Sequence, residues 1–149
     1  MAVVAKVYGP ALAAFAAGSI NWGSDTIKVA LATSTYTPDQ DAHDFFNDVT
    51  NEVSGTGYTA GGATLASKTS TYTAGTNTTA LDAADVTWAT STITAKWAII
   101  YKSTGTSSTS PLIAYVDMDN SSGSASITST AGKFTITWDS AGIVTFTTA

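Results

Sequence analysis

His43 is the one imidazole in a chain of 149 residues, and it stands between Asp41 and Asp44. A histidine beside carboxylates is the base of a Ser-His-Asp hydrolase, where the imidazole takes the serine proton and the aspartate orients the ring. Serine is abundant, but no Gly-x-Ser-x-Gly elbow occurs to present a hydroxyl on a strained turn. A solvated surface histidine is therefore expected, with no catalytic residue. Asp39, Asp41, Asp44 and Asp48 gather carboxylates in one short stretch, as a Ca²⁺ ion taking about six to eight oxygens would require. Their spacing is not that of an EF-hand loop, so a solvated acidic loop without metal is the expectation. Gly55-x-Gly57-x-x-Ala60 matches the relaxed dinucleotide fingerprint in form only. That motif must open a helix after a strand, whereas 63–73 has strand character, so a turn or bulge is expected and no cofactor.

Aromatic side chains supply the remaining chemistry. Trp22, Trp88, Trp97, Trp138 and the tyrosines have faces that stack on the apolar side of a sugar ring. Trp97 and Trp138 fall on core-facing positions of alternating stretches, which leaves Trp22 or an exposed tyrosine for a glycan platform.

The elements that would position these groups are mostly strands. In 92–102 the odd positions Ile93, Ala95, Trp97, Ile99 and Tyr101 are apolar, and Ala98 and Ile100 dry the middle of the other face. This reads as one central strand. Ile27, Val29 and Leu31 alternate with Lys28, Ala30 and Ala32 in a half-buried strand. The stretch 34–53, with Pro38 and its aspartates, reads as loop with local helix around Phe45 and Phe46. Strand character returns at 63–73, 78–81, 86–88 and 112–118, with a turn over 119–123. A last hairpin is expected, in which Phe134, Ile136 and Trp138 turn through Asp139 to Gly142 into 143–148.

The N-terminal stretch differs. Val4, Val7, Tyr8, Leu12 and Phe15 fall near a 3.6-residue repeat, with Pro10 placed as a first helical residue and Gly18 as a stop, so 1–18 reads as a short amphipathic helix. The alternative is a secretory leader, but Lys6 alone is a poor basic region and Gly9-Pro10 interrupts the apolar run. The run is also too short to cross a membrane, and no membrane partner is expected. Since strands alone could close a sandwich, the five residues Val4, Val7, Tyr8, Leu12 and Phe15 are the candidate subunit or shell contact.

Composition narrows the partners. Six lysines, no arginine and eleven acidic residues give a net charge of −5, opposite to what phosphate-backbone binding needs, so nucleic acid is not an expected partner. No cysteine is present, which removes disulfide frameworks and thiolate metal sites. Serine and threonine make up 45 of the 149 residues while 11% are charged, a bias toward strands and a weakly charged surface suited to packing beside copies of itself. The expectation is one mainly-β domain over 1–149, an antiparallel β-sandwich or jelly-roll-like fold with a short N-terminal helix.

The ordered set Trp22-x-x-Asp25-Thr-Ile-Lys-Val-x-Leu31, Tyr36-Thr-Pro38, Glu52-Val-Ser-Gly-Thr-Gly-Tyr-Thr-Ala-Gly-Gly62, Ala84-Asp-Val-Thr-Trp88, Ala98-Ile-Ile-Tyr-Lys102, Pro111-Leu-Ile and Phe134-Thr-Ile-x-Trp138 resembles a family of small virion structural proteins of tailed bacteriophages. The resemblance runs over nearly the whole chain. It implies a capsid decoration (cement) protein on the virion surface, without catalytic residues. Its expected partners are the major capsid protein and copies of itself, as a homotrimer. The alternative within the same particle is a head-fibre or tail-associated glycan-binding module.

Overall fold

Among the described residues, 4–119 and 125–148, the computed structural model is mainly β, with antiparallel sheets and one short helix near the N-terminus. The elements in order are β1 Val4–Val7, α1 Gly9–Ala16, β2 Ile27–Ala32, β3 Ala63–Thr64, β4 Thr69–Thr73, β5 Thr78–Asp82, β6 Val86–Ala95, β7 Trp97–Lys102, β8 Leu112–Asp117, β9 Ile127–Ile136 and β10 Val144–Thr147. They form a five-stranded sheet in the order β1-β8-β7-β2-β3, a three-stranded sheet β10-β5-β4 and a β6-β9 pair.

The layers are sandwich-like. Ile27, Val29 and Leu31 of β2, with Ala98 and Ile100 of β7, form one wall of the main core. The opposite wall is Leu81, Val86, Trp88, Ile93, Ala95, Phe134, Ile136 and Val144 from the two smaller sheets. On its other face the five-stranded sheet carries Ala30, Ala32, Ile99, Tyr101, Leu112 and Tyr115, and these are covered by Tyr8, Ala11 and Tyr36 with Phe46 and Val49. Both faces of β2 and β7 are thus dry, and the half-buried strand expected at 26–33 is buried on both sides.

The single strand expected over 92–102 is two. Lys96 breaks it, and the chain crosses there from the β6-β9 pair into the five-stranded sheet. Parity changes at the crossing: Ile93 and Ala95 face the main core before it, Ala98 and Ile100 after it. Ile99 and Tyr101 therefore point to the second cluster, and Trp97 is half-buried at its edge against Tyr115, ring centroids 5.9 Å apart. Lys96 is buried at the corner, with its ammonium 3.2 Å from Asp117 and 3.8 Å from Asp119.

Two further expectations are corrected. The segments 134–138 and 143–148 do not form a hairpin: β9 pairs with β6, and β10 pairs with β5. The turn itself exists, Gly142 N–H donating to Asp139 O at 2.9 Å, but it carries the chain between sheets. The helix expected over 1–18 is confined to Gly9–Ala16, because residues 4–7 pair with β8, Val4 opposite Asp117 and Val7 opposite Ala114. Alternating Val, Ala, Lys, Val suits an edge strand, and Pro10 in the first turn suits a helix starting only after it. The turn expected over 119–123 lies outside the described residues except for Asp119.

The glycine-rich connection is a turn, as its sequence indicates, and it is closely fitted. β6 is irregular between Trp88 and Ser91, leaving Ala89 and Thr90 both exposed, and the loop at Gly55 and Gly57 lies on that bulge, Thr92 N–H donating to Thr56 O at 2.9 Å. Gly62, at φ +70°, approaches β2 so closely that a Cβ would stand 1.9 Å from the Val29 carbonyl oxygen. Gly75, in the β4–β5 turn, has nothing within 4 Å of such a Cβ. Gly62→Ala is expected to lower unfolding free energy by more than about 2 kcal/mol, and Gly75→Ala to change it by less than about 0.5 kcal/mol. Urea titration of the two variants checks this; equal losses would contradict the close packing of Gly62.

Candidate functional site

The five contact candidates are separated by the change from strand to helix at Tyr8. Val4 lies in β1 opposite Asp117, its side chain outside the described set, and Val7 is half-buried in the same strand. Tyr8 is fully buried, tilted against Tyr115 with centroids 4.9 Å apart. It is a core residue. Phe15 is half-buried and packs edge-on against Phe146 of β10 at 5.6 Å. Leu12 is 51% exposed, one of three large apolar side chains open to solvent among the described residues.

Leu12 and Phe15 border an open cleft of about 650 Å³ whose floor is Ile20, Trp22, Leu81 and Phe146, with Ser70 and Thr79 on the rim. The helix above it is fixed at its end. Gly18, at φ +72°, donates to Phe15 O, and Ser19 to Ala14 O, a left-handed cap that satisfies the last carbonyls. Lys102 Nζ donates to Ser19 O at 2.8 Å and lies 2.9 Å from Asp25 Oδ2. Asp25 also accepts the Asn21 N–H at 2.7 Å, and Lys68 donates to its main-chain oxygen. Trp22 is buried, with its indole N–H on Asp82 O at 3.2 Å. A second cleft, of about 660 Å³, opens between the five-stranded sheet and β9, lined by Ala98, Val116, Met118, Phe134, Ile136 and Trp138. Sequence reasoning missed it because 127–136 lacks a long apolar alternation until Phe134.

His43 is not a solvated surface residue. Its Nδ1 accepts the Asp39 N–H at 3.3 Å and the Tyr36 hydroxyl at 2.9 Å, and Tyr36 in turn bonds Tyr8 at 3.0 Å. Burial, reinforced by the bond to Tyr36, pushes the Tyr8 phenol far above its usual range, and burial also raises that of Tyr36. Both remain neutral donors. The chain of three fastens the 33–50 loop to the sheet beneath it, and among the described residues no serine hydroxyl is bonded to the imidazole. Two of the four aspartates are spent on main-chain donors, Asp39 accepting from Asp41 and Ala42 and Asp48 from Asp44 and Phe45, while Asp41 and Asp44 are exposed. No group of three or more metal-ligating side chains converges among the described residues.

Tyr58 and Glu52 form another internal lock unforeseen in the sequence. The Tyr58 hydroxyl donates to Glu52 at 2.7 Å and accepts the Leu31 N–H at 2.9 Å, while Glu52 also takes the Gly61 N–H. Burial, then the Glu52 charge, pushes Tyr101 up to about 12; its hydroxyl donates to Gly61 O at 2.8 Å. Of the aromatic residues only Tyr72, 57% exposed on β4, lies open, so the structure assembles no stacked platform from the tryptophans.

No protein-family model matches the chain. Neither a curated protein nor a solved structure matches it.

Asp25 gives the anchoring of α1 a pH signature. Burial opposes its ionisation, but the Asn21 N–H and the Lys102 and Lys68 charges outweigh that cost and hold the carboxyl below its ordinary value of 3.8. A carboxyl depressed in the folded state stabilises above its unfolded value, and the contribution is lost as pH falls through the folded one. Asp25→Asn should therefore melt below the parent at neutral pH, with the gap closing as pH falls below about 3.8. Thermal melts from pH 7 to pH 2 check this, and a pH-independent gap would contradict the assignment.

Proposed function

We propose that this protein is a bacteriophage virion structural protein, a capsid decoration protein that holds neighbouring shell subunits together. The observation that carries the reading is the α1 cleft: Leu12 stands open above a floor of Ile20, Trp22, Leu81 and Phe146, on a helix capped and tied to the body. Such a cleft accepts an apolar side chain from a partner without rearrangement. The resemblance over the ordered motifs from Trp22 to Trp138 supports the virion setting, and His43, Asp39 and Asp48 are engaged in fastening loops. The low charge supports close packing of copies, with a homotrimer at local threefold positions of the shell as the assembled form.

The energetics suit such a role. Covering the exposed half of Leu12, at 51%, contributes about 0.8–1.5 kcal/mol, too little for one tight complex but sufficient when many copies hold one shell. Removing residues 1–18 would remove β1 and the buried Tyr8, so truncation cannot distinguish a contact role from a structural one. Leu12→Asp can, because the side chain is exposed. It should leave the melting transition within about 0.5 kcal/mol and weaken binding to undecorated shells by roughly tenfold or more. Antibody-gold labelling of whole particles should mark the head surface, and light scattering of detergent-free released protein should give a trimer mass. Label confined to the tail, or unchanged shell binding by Leu12→Asp, would overturn the reading.

A further inference from the structure

We propose that β4 is a self-pairing edge, joining antiparallel to β4 of a second copy about a twofold axis at Thr71. The inference stands on strand geometry and does not depend on the virion reading. Sheet edges present unpaired main-chain donors and acceptors, and monomeric proteins blunt them with charge, distortion, shortness or cover. The other edges here are blunted. Exposed Lys6 lies on β1; β9 carries Lys133 and a kink at Ala131, φ +47°. The glycine loop covers β6 through Thr56, β3 has two residues, and β10 has four. β4 has none of these devices. Its residues Thr69, Ser70, Thr71, Tyr72 and Thr73 are all exposed, uncharged and free of proline, at the end of the three-stranded sheet.

The direction of its free groups follows from the neighbouring ladder. Ile143 N–H donates to Leu81 O at 2.8 Å and Thr148 N–H to Asn77 O at 2.9 Å, so the odd residues of β5 turn their main-chain groups toward β10. Their opposites on β4, Ser70 facing Leu81 and Tyr72 facing Thr79, then turn theirs away from β5. The outward groups are thus those of Ser70 and Tyr72, symmetric about Thr71. Antiparallel self-pairing sets Ser70 against the second copy's Tyr72 and Tyr72 against its Ser70, which completes four main-chain hydrogen bonds. It also places the two Thr71 residues directly opposite at the close, non-hydrogen-bonded spacing. Facing threonines are a contact this fold already uses: Thr87 and Thr135 bond through their hydroxyls at 3.0 Å, Thr78 and Thr147 at 3.1 Å, Thr94 and Thr128 at 3.3 Å. No charged residue lies between Lys68 and Asp82, so two copies of a chain with net charge −5 meet here without like charges opposed.

The absence of cysteine allows a direct test. Facing Cα atoms in a non-hydrogen-bonded antiparallel pair are about 4.5 Å apart, within the range of about 4.4–6.8 Å that a disulfide spans. Thr71→Cys is therefore expected to form a covalent dimer under mild oxidation. Thr69→Cys and Thr73→Cys, whose like residues would stand roughly 13 Å apart, should form no covalent dimer alone and cross-link when mixed with each other. Tyr72→Pro, which removes an outward N–H, should abolish concentration-dependent twofold pairing of the cysteine-free protein in sedimentation, whether of single chains or of trimers, while leaving the fold unchanged by circular dichroism. Failure of Thr71→Cys to cross-link, or equal cross-linking by all three cysteine variants, would overturn the proposal.

Discussion

The five-stranded sheet is apolar on both faces, and that constraint organises the rest of the chain. A sheet with one dry face needs one covering layer; with two, it needs two, and one connection cannot supply both. The smaller sheets, built from strands between Thr69 and Thr147, cover Ile27, Val29, Leu31, Ala98 and Ile100. The first half covers Ala30, Ala32, Ile99 and Tyr101 with the 33–50 loop and the start of α1. A loop is a poor lid because its main chain must find partners under burial. The Tyr8–Tyr36–His43 chain, the carboxylates of Asp39 and Asp48, and the Gln40 amide on Val7 O meet that demand locally. The residues that looked most like chemistry are the ones that make an irregular lid tolerable.

Crossing from one layer to the other imposes a second demand, concentrated at Lys96. A strand that leaves one wall of a sandwich for the opposite wall must reverse which of its faces meets the core, and one residue out of alternation does this. That residue sits inside the corner, so a lysine there requires counter-charge. Asp117 and Asp119 at the end of β8 provide it, and Trp97 lies 5.2 Å from the ammonium by its ring centroid. Removing one partner of such a buried group costs more than the pair contributes, so the corner fixes the crossing point more than it adds stability.

Much of the fold was legible because period-2 alternation reports burial directly. β2 and the 92–102 stretch that contains β7 were visible this way, the latter marked as central by its two dry faces, while β5 and β8 showed only strand character. The break at Lys96 was also written in the sequence, as a switch of apolar parity from Ile93 and Ala95 to Ala98 and Ile100, but an unbroken apolar odd register through Tyr101 concealed it. Pairing was not legible. Asp139 to Gly142 has the chemistry of a reversing turn, and turn chemistry specifies a change of direction without specifying which strand lies alongside afterwards. The single helix read through Val4, Val7, Tyr8, Leu12 and Phe15 was overturned for a related reason: Val4 and Val7 belong to a strand and Leu12 and Phe15 to a helix, and a 3.6-residue period does not carry across that junction.

The surface left after both lids are placed explains how so little charge can suffice. On β4, β6, β9 and β10 the outward positions include Thr71, Thr87, Thr94, Thr128, Thr135, Thr145 and Thr147, all exposed. Threonine is stiff enough at χ1 to favour the strand and small enough to leave neighbouring main chain hydrated, and opposed pairs bond across the ladder. A face built this way is polar without being charged, so it gains solubility from hydroxyls and gives up the repulsion that keeps strongly charged surfaces apart. Protection against unwanted sheet extension then falls on the edges alone. This is why Lys6, Lys133, the Ala131 kink and the glycine loop over β6 matter beyond their local contacts, and why an edge without such a device differs in kind from the rest of the molecule.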